Sequence, residues 1–163
     1  YRDEVLSELL VMKPTAIRGN ASEILALAKH NKTATKGVDS TSSSLEAVEA
    51  AQFLNEKFGA VVVISGAVDI IVSEAGTTQL KNGDPLMTKI TGMGCSATAL
   101  LTAFIAVISN KTEAAIAATA LMAVAGELAA QNSSGPGSLQ VGILDKLHNI
   151  SETEFLNTTI ILA

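Results

Sequence analysis

TGMGCSATALLTAFIAVIS, residues 91–109, decides the fold class. Gly92 and Gly94 allow a tight turn, and from about Ser96 the chain reads as one long apolar helix. Upstream, Ala60-Val61-Val62-Val63-Ile64 is a continuous run rich in β-branched residues, the pattern of a strand covered on both faces, and Ser65-Gly66 breaks it. A covered strand together with buried helices is the grammar of an α/β protein.

The rest of the chain supports that reading. Val5, Leu6, Leu9 and Leu10 share one face of an opening helix that Lys13-Pro14 ends. Thr15-Ala16-Ile17 is a brief strand, and Arg18-Gly19-Asn20 reads as the polar loop after it. Asn20-Ala21-Ser22-Glu23 resembles a capping box, opening a helix that carries Ile24, Leu25, Leu27 and Ala28. Residues 30–44 read as a surface loop. Leu45 to Phe58 is a second amphipathic helix, stopped by Gly59. Asp69–Ser73 and Thr77–Leu80 pair as a hairpin across Glu74-Ala75-Gly76, and Asn82-Gly83 supplies the next turn. Further helices cover about Thr112–Gln131 and from Gly135-Pro136-Gly137 to near His148, and Thr158–Leu162 suits a last strand. One fully buried strand and a few edge strands are few for such a sheet.

Composition narrows the partners. Among 163 residues, 11 Lys+Arg stand against 16 Asp+Glu, and 48% are hydrophobic but only 17% charged. That balance suits one folded domain rather than a disordered chain. With no basic cluster and 3% aromatics, no nucleic acid is expected as partner. A single cysteine excludes an internal disulfide framework and a Cys-based zinc site, and His30 and His148 are in no ligand-like spacing. The opening YRDEVLSELL has no signal-peptide core. The apolar stretches 95–109 and 114–126 each fall short of the roughly 20 residues of a membrane span and read as buried core helices. No membrane partner is expected, and the expected compartment is cytoplasmic.

The chemistry gathers at few positions. Glycines at 92 and 94 before a helix let backbone N–H groups converge, and the helix dipole favours an anionic oxygen there. The motif is neither a P-loop nor a dinucleotide fingerprint. Cys95 opens that helix, where a cysteine is either a small packed residue or a reactive thiol, and spacing leaves both open. Arg18, just before a helix start, is a solvated charge or a fork of donors for phosphate. Glu23 is a helix cap or a carboxylate holding Mg²⁺ through water. Glu127, after Gly126 in an Ala-rich helix, reads as a partly exposed face residue.

Taken in order, IRGNASEI (17–24), GVDS (37–40), VVISGAVD (62–69), NGDPLMTKITGMGCSATA (82–99), AGELAA (125–130) and SSGPGSL (133–139) resemble the hydroxyethylthiazole kinase family of the ribokinase-like superfamily. The resemblance runs from about residue 1 to about residue 148. It implies a ribokinase-like three-layer α/β/α sandwich, here lacking N-terminal strands. Residues 1–163 would be the C-terminal part of a single kinase domain. The implied reaction is ATP-dependent phosphorylation of 4-methyl-5-(2-hydroxyethyl)thiazole on its hydroxyethyl group, in thiamine biosynthesis and salvage.

By motif, the resemblance implies that Arg18 contacts ATP phosphate and that Asn20 and Glu23 organise Mg²⁺ through water. Ser65, where the family has threonine, would bond the nucleotide. Gly92 would lie against the thiazole alcohol, Gly94 and Cys95 would form the anion hole, and Cys95 would take the place of the catalytic base. The family's homotrimeric assembly, with the thiazole site between subunits, is implied too. Family members carry a substantial portion ahead of the segment like YRDEVLSELL, so activity of this chain by itself stays open. Alternatives are a hydroxymethylpyrimidine-type kinase, against which Cys95 and DPLMT argue, and a non-catalytic nucleotide-binding or assembly module.

Overall fold

The computed structural model describes residues 2–31 and 43–162. GVDS at 37–40, and most of the loop expected over 30–44, lie outside the described residues. The elements run α1 (Arg2–Val11), β1 (Ala16–Asn20), α2 (Ala21–Asn31), α3 (Ser43–Phe58), β2 (Val61–Ser65), β3 (Asp69–Ser73) and β4 (Gly76–Leu80). A short 3₁₀ helix (Pro85–Lys89) follows, then α4 (Met93–Val107), α5 (Lys111–Ala130), α6 (Pro136–Asn149), α7 (Glu152–Thr158) and β5 (Ile161–Leu162). The strands form one mixed sheet in the order β1-β2-β3-β4-β5. β1 and β2 are parallel, whereas β2 with β3 and β4 with β5 are antiparallel.

The chain divides into two compact units, residues 1–66 with 70–77 and residues 67–69 with 78–163. In the first, β2 is buried on both faces from Val61 to Ile64, as its unbroken apolar run requires. Ile17 and Val62 pack with Ile24 and Leu27 of α2 and with Ala51 and Leu54 of α3. Gly59 ends α3 at φ +72°, its N–H donating to Asn55 O at 2.7 Å, the helix stop its position suggested.

Of the four apolar residues that share one face of α1, only Leu10 is buried, whereas Val5, Leu6 and Leu9 are exposed. α1 meets α2 along a narrow seam, and a periodic apolar stripe does not say how wide its partner is. Two expectations fail in this unit. β1 continues through Arg18, Gly19 and Asn20 rather than ending at Ile17, because β2 offers parallel partners as far as Ser65. His30 and Asn31 belong to α2, and Ser43 and Ser44 to α3, not to a loop.

In the second unit α5 is the buried centre. It packs on α4 and α6, and its buried residues include Ala115, Ala118, Val124, Ala125 and Gly126. It runs Lys111–Ala130, close to the Thr112–Gln131 expected, and at 20 residues it is long and apolar enough to cross a membrane. More than half of its apolar window is nevertheless buried inside the protein, as in a core helix. α4 reverses the expectation of a buried helix. It has the most apolar sequence, yet Leu101 alone is buried, with Met93, Ala97 and Leu100 partly covered against the core. An all-round apolar composition cannot mark which face finds a partner.

At the C-terminus, α7 replaces the start of the expected strand, and only Ile161–Leu162 pair with β4. Its signal was present in Ser151-Glu152-Thr153-Glu154: Ser151 Oγ accepts from Glu154 N at 3.2 Å while Ser151 N donates to Glu154 Oε2 at 3.1 Å.

Candidate active site

Arg18, Asn20, Glu23 and Ser65 come together at the C-terminal ends of the parallel strands β1 and β2. Ligands of α/β sheets bind at that edge, where the helices that follow present their N-termini. Asn20 and Ser65 stand opposite each other in register, and Ser65 Oγ donates to Gly19 O at 3.3 Å. Alternation along β1 puts Ile17 and Gly19 on the buried face, with Arg18 and Asn20 on the other. Arg18 is therefore held by the sheet, three residues before the first residue of α2, rather than in a loop.

The expected capping box is present. Glu23 N donates to Asn20 Oδ1 at 3.0 Å, and Asn20 N donates to Glu23 Oε2 at 2.9 Å. A Cβ at Gly19 would lie 3.2 Å from Glu23 Oε2 and 3.1 Å from Glu23 Cβ, so the glycine makes room for the carboxylate to fold back. Among the described residues no three His, Cys, Asp or Glu side chains gather so as to hold a metal by themselves. Asn20 and Glu23 instead offer oxygen acceptors at a helix start, the donor set that suits a hydrated Mg²⁺ brought by phosphates.

Gly92, Gly94 and Cys95 occupy the start of α4, which begins at Met93, earlier than the Ser96 suggested by the sequence. Gly92 is the N-cap at φ +85°, and Ser96 N donates to its carbonyl at 3.0 Å. No atom lies within 4 Å of a Cβ built at Gly92, so the left-handed backbone and not crowding selects glycine. Gly94 and Cys95 thus belong to the first helical turn, where backbone N–H groups face out along the axis. Both residues are exposed, and the reading of Cys95 as a packed core residue is removed.

Sequence reasoning missed a polar cluster that joins α5 to the segment just before the 3₁₀ helix. Glu127 is half-buried, and its Oε2 accepts from Asn82 Nδ2 at 2.9 Å and from Gly83 N at 3.1 Å. Asn82 Nδ2 also donates to Thr158 O at 2.8 Å, and Asn82 Oδ1 accepts from Ile160 N at 2.7 Å. Asn82 is more than a turn residue, and Glu127 is not an idle face residue. The available signal was Gly126 beside it, because a glycine inside a long helix usually has a packing reason.

The family model for the hydroxyethylthiazole kinase family matches residues 1–153. A hydroxyethylthiazole kinase of Syntrophus aciditrophicus is 47% identical over 100% of this chain and 61% of its own length. One from Leptospira biflexa is 50% identical over 85% of this chain and 51% of its own. Among solved structures, that of the hydroxyethylthiazole kinase protein from Pyrococcus horikoshii OT3 is similar at TM-score 0.86 and 28% identity, covering 99% of this chain and 59% of that one. The chain therefore spans between half and two-thirds of the length of these relatives, and its fold is the ribokinase-like α/β fold expected.

Proposed function

The chain belongs to the hydroxyethylthiazole kinase family, and from it we propose that the protein carrying it phosphorylates 4-methyl-5-(2-hydroxyethyl)thiazole with ATP, in thiamine biosynthesis and salvage. Residues 1–163 are then the C-terminal part of one kinase domain. The observation that carries the reading is the opening of α4. A left-handed glycine cap is followed by an exposed glycine and an exposed cysteine, in the order TGMGC that the resemblance assigned to phosphoryl transfer.

Each residue has a definite task in that reaction. Arg18 donates to ATP phosphate oxygens, which its planar fork suits better than a lysine would. Ser65 bonds the nucleotide from the end of β2. Asn20 and Glu23 hold waters of Mg²⁺, which, when bound, neutralises charge on the phosphates. Gly92 leaves space for the alcohol, and the backbone at Gly94 and Cys95 faces the transferring phosphoryl group. The alcohol oxygen forms its bond to the γ-phosphorus as the bond from that phosphorus to the bridging oxygen breaks, and ADP leaves. Cys95 takes the alcohol's proton.

The exposed apolar residues of α1 and α4 support an assembly in which further protein covers them, and the family's homotrimer is the form we read. The acidic composition, with 11 Lys+Arg against 16 Asp+Glu, supports small-molecule ligands rather than nucleic acid, and a cytoplasmic enzyme is the form we read.

Turnover by the natural full-length product decides the matter. With Mg·ATP, the thiazole alcohol is phosphorylated and a hydroxymethylpyrimidine is not, and Arg18→Ala weakens ATP binding roughly tenfold or more through loss of a charge-assisted contact. Phosphorylation of the pyrimidine instead, or ATP binding without any turnover, overturns the proposal.

A further inference from the structure

Consecutive residues of α5 grip the segment that leads into the TGMGC turn. Glu127 takes the backbone N–H of Gly83 and the amide of Asn82, while the side chain of Met87 lies across Gly126. A Cβ at position 126 would overlap Met87 Sδ and come within 2.6 Å of its Cε, so the Met87 side chain lies where it does because position 126 is a glycine. Leu86, Met87, Ile90 and Met93 all pack on the same core as Met122 and Leu139.

From there a ladder of backbone bonds climbs in steps of three to the helix. Met87 N donates to Asp84 O at 3.0 Å, Ile90 N to Met87 O at 3.1 Å, and Met93 N to Ile90 O at 3.4 Å. Asp84 Oδ1 also accepts from Leu86 N at 2.8 Å, which starts the 3₁₀ helix. Met93 is the first residue of α4, so each rung from Gly83 onward has its place referred back to α5. Asn82 reinforces the lower end, with both amide hydrogens donated and its oxygen occupied.

We propose that Gly126 and Glu127 are positioning residues of the phosphoryl-transfer site, a two-point clamp that sets where Gly92, Gly94 and Cys95 open α4. The inference rests on the kinase reading for what the turn does, and on the geometry alone for the clamp. Neither residue need touch substrate. A displacement of about an ångström at a reacting centre costs on the order of a hundredfold in rate, so a loosened clamp is read directly in kinetics.

The test uses the full-length kinase with Glu127→Ala, Glu127→Gln and Gly126→Ala, read by hydrogen exchange and by steady-state kinetics. Glu127→Ala is expected to speed exchange in residues 84–95 and not in β1 or β2, to lower kcat about tenfold to a hundredfold, and to raise KM for the thiazole alcohol while leaving KM for ATP in place. Loss of folded protein alone lowers apparent kcat but moves no KM. Glu127→Gln keeps an oxygen that can accept both bonds, and it restores exchange and kinetics towards wild type. If Glu127→Ala does not fold, Gly126→Ala, which forces the Met87 side chain to shift, gives the same local pattern in weaker form. Exchange that is unchanged or rises uniformly, or unchanged KM and kcat per folded molecule, overturns the clamp. A wild-type protein inactive on thiazole overturns the kinase reading instead, and exchange at 84–95 still decides whether the clamp exists.

Discussion

Cys95 is the side chain on which the proposed chemistry turns most sharply. It is exposed at the third position of α4, beside a backbone that can face an anion. Cys95→Ala removes a base and leaves the turn, so turnover is expected to fall by roughly 10²–10⁴-fold with ATP affinity little changed. Cys95→Asp places a carboxylate of similar length there and keeps turnover, and wild-type rates for Cys95→Ala would leave the backbone to act alone. Glu23 poses a different problem, because it caps α2 and is also proposed to serve the metal. A capping box accepts glutamine in place of glutamate, so Glu23→Gln separates the two roles. Its midpoint of thermal unfolding should stay near wild type while the Mg²⁺ concentration for half-maximal rate rises. A fall in stability with an unchanged Mg²⁺ requirement would make Glu23 a cap only.

At the scale of elements, α7 carries a carboxylate whose titration its surroundings displace. Glu154 is held below the ordinary carboxylate range, first by the Ser151 backbone N–H, then by the Lys146 ammonium at 3.1 Å and the Ser151 hydroxyl. A carboxyl whose folded pKa is depressed stabilises the fold above its unfolded pKa, and that contribution is lost as pH falls through the folded value. Protection of the α7 and β5 amides, taken relative to their intrinsic exchange rates at each pH, should therefore fall on acidification below about 4.5, the reference value for glutamate. Glu154→Gln should flatten that dependence, and protection that still falls with pH in the variant assigns it to another group. The opening of α5 offers a plainer case: Asn110 Oδ1 accepts from Thr112 N and Glu113 N at 3.1 and 3.2 Å. Asn110→Ala should cost about 1 kcal/mol in a urea titration.

For the molecule as a whole, the exposed apolar side chains are the main liability. Val11 at the end of α1 and Met12 just after it are 76% and 77% exposed, and Val107 is 80% exposed at the end of α4. Such surface drives association when nothing covers it. Residues 1–163 prepared alone are expected to self-associate in light scattering, and Met12→Lys with Val107→Lys to reduce this without changing far-UV circular dichroism. Association unaffected by the two lysines would place the sticky surface elsewhere.

What the amino-acid order determined by itself was local. The Asn20–Glu23 box, the Gly59 stop, the covered run 61–64 and the glycine turn into α4 depend on residues a few positions apart, whose steric and hydrogen-bonding rules act within one turn. The motif order was equally legible and pointed to the family. The tertiary structure alone decided which apolar faces find partners: α5 is buried, whereas α4, more apolar still, keeps most of its surface exposed. It also decided that β1 runs on through Arg18 to Asn20, since a strand ends where its neighbour's hydrogen bonds end. Glu127 reached Asn82 and Gly83, more than forty positions back in the chain, only once α5 had packed. Contacts of that separation follow from how helices and strands are stacked, and no local pattern carries them.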